Sequence, residues 1–411
     1  MEKVNSILKK LGPGLLFAGA AIGVSHLVQS TKAGADFGVG LIWALLLVNL
    51  FKFPFFQYGP KYASATGESL LEGYKKLGTS ILHFYLLISL TTMFTIQTAV
   101  TIVTAGIASS LTNNIISVEL WTIIILIVCS VLLYFGKYKM LDKMIKIIIF
   151  ILALSTFLAT FLAFNNFSHG FNLSQVLPKN NIEIAFLIAF MGWMPAPLDI
   201  SVWHSIWTIE KKKSDGIQDM KTTLFDFNIG YLGTIALGIS FMLLGYFVMN
   251  SSSLSFSSSA STFANQLIEM YTSSFGSWAY IIIGLATFTT MFSTTITTLD
   301  ASPRAMHKAT ELIFNKKINN GYLYWLFFLV IGTITIFFYF NSEMGTLVKV
   351  ATIVSFITAP FYAIINYTLI SSNYTPKKYR PSKIMHILSI VGIFFLLGFG
   401  IWYLSTLKLF I

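Results

Sequence analysis

The apolar residues of this chain fall in runs of about 20, the length an α-helix needs to cross about 30 Å of hydrocarbon. The runs cover roughly 12–31, 36–57, 80–108, 116–135, 143–164, 182–209, 225–249, 278–301, 321–340, 344–370 and 384–407, with short connections between them. Lipid offers no water to an open backbone, so such runs must be helical. They predict an all-α integral membrane protein of about eleven transmembrane helices, built as one membrane domain. Only 10% of the 411 residues are charged, against about 25% in soluble chains. The opening MEKVNSILKK lacks the apolar core and small-residue cleavage site of a removable signal peptide, so none is expected. Cys129, alone in an apolar run, reads as a small buried residue.

The net charge of +11 could suggest a nucleic-acid partner, but its placement is topological. Lys3, Lys9 and Lys10 precede the first run. Lys61, Lys75 and Lys76 follow the second, Lys137, Lys139 and Lys143 the fourth, and Lys211, Lys212, Lys213 and Lys221 the sixth. Arg304, Lys308, Lys316 and Lys317 follow the eighth, and Lys377, Lys378, Arg380 and Lys383 the tenth. The alternate connections hold Lys32, Lys179, Lys408 and the neutral tract from Ser251 to Thr262. Short basic loops stay in the cytoplasm. A multi-pass protein of the cell membrane is therefore expected, with a cytoplasmic N-terminus, an external C-terminus, the lipid bilayer as partner and no nucleic acid.

Two runs are interrupted. In the first, GPGLLFAGAAIGVSHLVQSTKAG, small residues including Gly19, Gly23 and Ser25 surround the centre, and His26 follows. In the sixth, IAFLIAFMGWMPAPLDISVWHSIW, Gly192, Pro195 and Pro197 sit at the centre with Asp199 just beyond. Two prolines remove two donors and clash with the preceding turn, so this helix must break. Freed carbonyls at mid-membrane are tolerated only against a cavity or against protein. Breaks at similar depth, five runs apart, predict an inverted repeat of two five-helix units: 1–164, then 182–370, with an extra helix in 384–411. Paired interrupted helices in matching positions point to a transporter's binding site. Packing kinks are the structural alternative.

GPGLLFAG, with AGADFG downstream, resembles the first helix of the Nramp (natural resistance-associated macrophage protein) family. The resemblance implies eleven helices in a five-plus-five inverted repeat and proton-coupled import of manganese or iron. That family carries Asp-Pro-Gly-Asn in its first helix, where Asp and Asn bind metal. Gly23, Val24, Ser25 and His26 occupy those positions here. The family's Met-Pro-His in the sixth helix corresponds to Met194, Pro195 and Ala196. The third run contains no acid, whereas the family places proton-route acids there. One metal ligand is retained and two are changed, which describes a divergent branch.

Asp199 is the first candidate, because an ionisable group near mid-membrane is costly and marks function by default. It could bind a cation, titrate, or cap the half-helix that it precedes. His26 suits a transition metal or a proton, and paired with Asp199 it would make a proton switch, each shifting the other's pKa. Met194 offers a soft thioether, although Met also fills gaps. Gly23, Ser25 and Pro195 complete the expected substrate site, with His26, Met194 and Asp199 as metal ligands. His204 reads as an interfacial residue or, less favoured, a gate. Asp300 and Arg304, one turn apart, read as an ion pair or inner gate. Gln97, Asn228 and Asn366 are lesser polar candidates.

No phosphate-binding G-x-x-x-x-G-K-[ST] motif and no H-E-x-x-H or paired-Cys signature occurs in the sequence. No enzyme and no cofactor is expected. A secondary-active transporter of a divalent cation, working by alternating access between the first and sixth helices, is the leading expectation. The same fold carrying a small organic solute or an anion is the alternative.

Overall fold

The computed structural model describes residues 11–135, 138–167, 172–216, 219–249, 257–276, 280–339 and 343–407. Lys3, Lys9, Lys10, Lys137 and Lys408 lie outside them, as do residues 251–256 of the neutral tract. The described residues form helices and no strand. In chain order the α-helices are α1 (Pro13–Ala21), α2 (Thr31–Phe37), α3 (Ile42–Thr66), α4 (Leu70–Leu77), α5 (Thr79–Leu111), α6 (Val118–Phe135), α7 (Tyr138–Asn165) and α8 (Asn181–Trp193). There follow α9 (Ile200–Asp215), α10 (Met220–Met249), α11 (Ala260–Phe275), α12 (Tyr280–Phe314), α13 (Gly321–Tyr339), α14 (Met344–Ser371) and α15 (Lys383–Thr406).

Each predicted run corresponds to one helix or one broken pair. Seven of the described helices are long and apolar enough to cross a membrane, and the bent pair at the start makes eight. The sixth run divides into α8 and α9, and each half falls short of a span. Two helices were not foreseen. One is α4, opened by a capping box between Ser69 and Glu72. The other is α11, which begins inside the tract read as a loop.

The interrupted first helix packs along α10. Pro13 opens α1 in its first turn, where a missing N–H costs nothing. The flanking N–H groups of Gly12 and Gly14 donate to the Asp226 carboxylate of α10 at 2.9 and 2.7 Å. Glycine brings the two backbones together at both ends. A Cβ on Gly14 would lie 2.1 Å from the Asp226 carbonyl oxygen, and one on Gly34 only 1.8 Å from that of Met242. The reciprocal contacts are equally close: Gly230 meets the Gly14 carbonyl and Gly245 that of Thr31. Where lipid removes the hydrophobic drive between helices, small residues at the contact provide the packing.

This contact generates a paired prediction. Gly34→Ala is expected to cost about 1–3 kcal/mol or more through overpacking. Gly233→Ala in α10, whose added methyl meets nothing within 4 Å, should be neutral or stabilising by about 0.5–1 kcal/mol. Thermal unfolding of the purified variants measures both, and equal effects would contradict the packing account.

Candidate functional site at the helix breaks

The first helix stops at Ala21, resumes as a π-helical turn over Ser25–Ser30, and bends by 46° across the gap. The break is held from α12, where Thr294 donates to the Gly19 carbonyl at 3.0 Å. Gly23 presses on the same side chain, and a Cβ there would lie 2.7 Å from it. The second break runs from Met194 to Asp199, between α8 and α9. Ser25 lies between the two, its hydroxyl 2.5 Å from the Ala21 carbonyl of the first break and 3.4 Å from the Pro195 carbonyl of the second.

Ser25 also lines a cavity of about 20 Å³ between the breaks, together with Val24, Trp193, Pro197, Trp203 and Thr298. That space accommodates one water-sized guest. Larger vestibules approach from opposite ends of the bundle. One, of about 360 Å³, is lined by Gln29, Lys32, Asp36, Glu183 and Lys349. The other, of about 420 Å³, is lined by Glu72, Glu210, Arg304, His307, Lys308 and Tyr322.

His26 is fully buried and turns toward α10. Its Nε2 lies 2.9 Å from the Thr234 carbonyl and its Nδ1 2.7 Å from the Ser25 hydroxyl. The Ala21 carbonyl also lies 3.0 Å from Nδ1, so each ring nitrogen faces a backbone acceptor and both are held inside the protein. The Met194 sulfur and the His26 ring both lie against Gly238 of α10, where an added Cβ would be 3.3 and 3.6 Å from them. The structure thus brings Met194 and His26 to the same residue of α10. It shows no hydrogen bond or ion pair between His26 and Asp199 among the described residues, because the imidazole nitrogens face Ser25, Ala21 and Thr234.

Asp199 sits at the N-cap position of α9 but makes no capping hydrogen bond, and its Oδ1 has no hydrogen-bond partner among the described residues. A buried charge at the same break is absent from the sequence reading. Lys52 of α3 is 0% exposed. Its side-chain nitrogen donates to the carbonyls of Met191 at 2.8 Å, Gly192 at 2.7 Å, Met194 at 3.2 Å and Ala196 at 3.3 Å. The signal was available: one lysine in the middle of an apolar run, the kind of group that marks function by default. Asn366, a minor candidate, ties α9 to its neighbours. It receives Tyr74 at 2.6 Å and donates to Ser201 at 2.9 Å.

Two further expectations concern the end of the bundle that carries the basic loops. The interfacial placement of His204 is corrected. Its side chain is buried, stacked on Phe17 at 5.7 Å and close to Phe227 and Trp207, because Phe17, Phe227 and Tyr231 form an aromatic cluster against α9. Asp300 and Arg304 form an ion pair at 2.6 Å, and Tyr322 donates to the other Asp300 oxygen at 2.8 Å. Arg304 stands at the mouth of the larger vestibule. Its side chain is 35% exposed while that of Asp300 is 2% exposed, so the pair is partly screened. Asp300→Ala should therefore cost about 1–2 kcal/mol and Tyr322→Phe about 0.5–1 kcal/mol, read as falls in melting temperature. A neutral Asp300→Ala variant would remove the pair from the account of this end.

Among the described residues no three of His, Cys, Asp and Glu converge as a metal cluster. The breaks offer instead a thioether, an imidazole, one carboxylate and backbone oxygens.

An uncharacterized protein of Pasteurella multocida, PM0681, is 33% identical over 407 residues, spanning 98% of this chain and 93% of that one. The crystal structure of the Eremococcus coleocola manganese transporter superposes with a TM-score of 0.73 at 13% identity, covering 98% of this chain and 95% of that chain. Mhp1, a nucleobase-cation-symport-1 family transporter captured closed with bromovinylhydantoin bound, gives 0.59 at 15% identity, over 96% and 93%. At these identities the likeness to the solved structures is one of fold, that of inverted-repeat transporters. Residues 14–406 match the Natural resistance-associated macrophage protein-like family, and the chain is a member of that family: a multi-pass membrane transporter and not an enzyme.

Proposed function

We propose that this chain is a secondary-active transporter that moves a divalent metal cation by alternating access through the gap between its two helix breaks. The observation that carries the reading is the pairing of the breaks, with Ser25 between them and a vestibule at each end. Its membership of a transporter family supports the cargo class. Met194, His26 and Asp199 are the proposed ligands, with Ser25, Gly23, Pro195 and the break carbonyls that Lys52 does not occupy around them. Thioether and neutral imidazole favour a soft or borderline ion over calcium or magnesium. The repeat units are proposed as 1–164 and 182–370, followed by the helix in 384–411. The alternation of basic loops supports a cytoplasmic N-terminus and an external C-terminus. Asp300, Arg304 and His204 then lie on the inner route.

A second reading, transport of a small organic solute, is favoured by the lining of the central cavity. Trp193, Trp203, Ile96 and Val100 face it, with hydroxyls as its polar side-chain groups.

Proteoliposomes holding a metal-quenched dye separate the two. Saturable entry of manganese that is abolished in Asp199→Ala and reduced at least about tenfold in Met194→Ala, the effect of about 1.4 kcal/mol, is the expected result. Absence of entry for manganese, iron and zinc alike would sink the metal reading and direct the search to organic solutes.

A further inference from the structure

Breaking the sixth helix at Met194–Asp199 leaves a cluster of carbonyl oxygens without intrahelical partners at mid-bundle. Four of them, from Met191, Gly192, Met194 and Ala196, converge on one point, and Lys52 Nζ occupies it at 2.7–3.3 Å. A neutral amine has two N–H groups and a lone pair that would oppose a carbonyl. Four acceptors around one nitrogen therefore call for the ammonium form, with its three donors and full charge. The distances describe the cage. They are too long for magnesium at about 2.0–2.1 Å or calcium at about 2.3–2.6 Å. They suit an ammonium or a potassium-sized ion, which carbonyl rings bind in selective channels. Asp199 of the same break is buried, its Oδ1 lacks a hydrogen-bond partner among the described residues, and its carboxylate is the group that would balance the charge. The chain delivers the cation from a neighbouring helix, since Lys52 belongs to α3, which packs along α9.

We propose that the break in the sixth helix is a built site for a monovalent cation, and that Lys52 fills it as the chain's own tethered ion. The four carbonyls are then closed to any free cation while Lys52 is seated. Removal of the side chain opens a site for a primary alkylammonium or potassium ion. The inference goes beyond the reading of the cargo and stands for a metal or an organic substrate alike.

The test uses purified full-length protein and thermal unfolding, with no transported metal in the assay. Lys52→Ala deletes the equivalent of propylammonium. Its melting temperature is expected to fall and then to recover saturably with n-propylammonium, and to a lesser degree with potassium, but not with choline at equal ionic strength. The wild type should be indifferent to all three. Lys52→Met fills the stem space without charge and should be destabilised without recovery. A folded Lys52→Ala variant that ignores both cations, or a Lys52→Met variant as stable as the wild type, overturns the proposal. Should neither variant fold, 15N-lysine NMR of the wild type decides. A slowly exchanging, protonated Nζ signal that Lys52→Arg removes supports the tethered ion, and a neutral amine signal refutes it.

Discussion

A backbone that leaves its helix inside the hydrocarbon must find new partners for every freed carbonyl and N–H, at several kcal/mol for each one left unmade. That constraint organises the centre of this molecule. At the first break the partners come from α12, where Thr294 reaches the Gly19 carbonyl. They also come from the break itself, where Ser25 sits among Ala21, His26 and Pro195. At the second break, four carbonyls are answered by one ammonium. The double proline makes the second break unavoidable, and Lys52 makes it tolerable.

The same breaks are held in a frame whose contacts are unevenly rigid. The first helix touches α10 backbone to backbone at Gly14 and Gly230 and again at Gly34 and Gly245. The lower half of the sixth helix touches α3 in the same way, since a Cβ on Gly59 would lie 2.3 Å from the Ser201 carbonyl. Contacts of that kind resist sliding, because there is no side chain to repack. Against α12, by contrast, the first helix rests on threonine side chains. α1 and α2 are thus joined to α10, and α3 to α9, by backbone-to-backbone contacts, whereas the first helix meets α12 through the side chain of Thr294. α8 is tied the other way, to α14, through the close approach of Gly192 to Thr352.

Most of the helices were legible in the sequence, because runs of apolar residues leave lipid-spanning segments little choice. The two breaks were legible for the same physical reason in reverse: glycine, serine and adjacent prolines cannot continue a helix there. What the sequence did not disclose was orientation about each helix axis. His26 and Asp199 share a depth, and depth is what a one-dimensional pattern encodes. Their side chains nevertheless part ways: His26 turns to Thr234, and the Asp199 Oδ1 has no hydrogen-bond partner among the described residues. His204 was read by its distance from the end of the run, yet packing against Phe17 and Phe227 buries it. Lys52 was hidden by its surroundings, since FKFPFF reads as apolar and its partners are backbone oxygens, which no residue-type pattern can show.

These placements bear on what the centre can bind. Relative to the family pattern that the sequence resembles, the first helix has lost a carboxylate at Gly23, and an ammonium sits in the carbonyls of the sixth. Both features move the electrostatics of the core in the positive direction. They disfavour a hard divalent ion at the sixth-helix oxygens, and in the proposed site they shift the weight to the thioether of Met194 and the imidazole of His26, which suit a softer cation. Asp199 links the two halves of the site. If it turns toward a cargo at Met194, the attraction that holds Lys52 weakens, and if Lys52 stays seated, the carboxylate is less available to the cargo. Such coupling is reciprocal by thermodynamic necessity. A ligand that draws on Asp199 must therefore loosen the ammonium from its carbonyls by the same free energy with which the seated ammonium opposes the ligand.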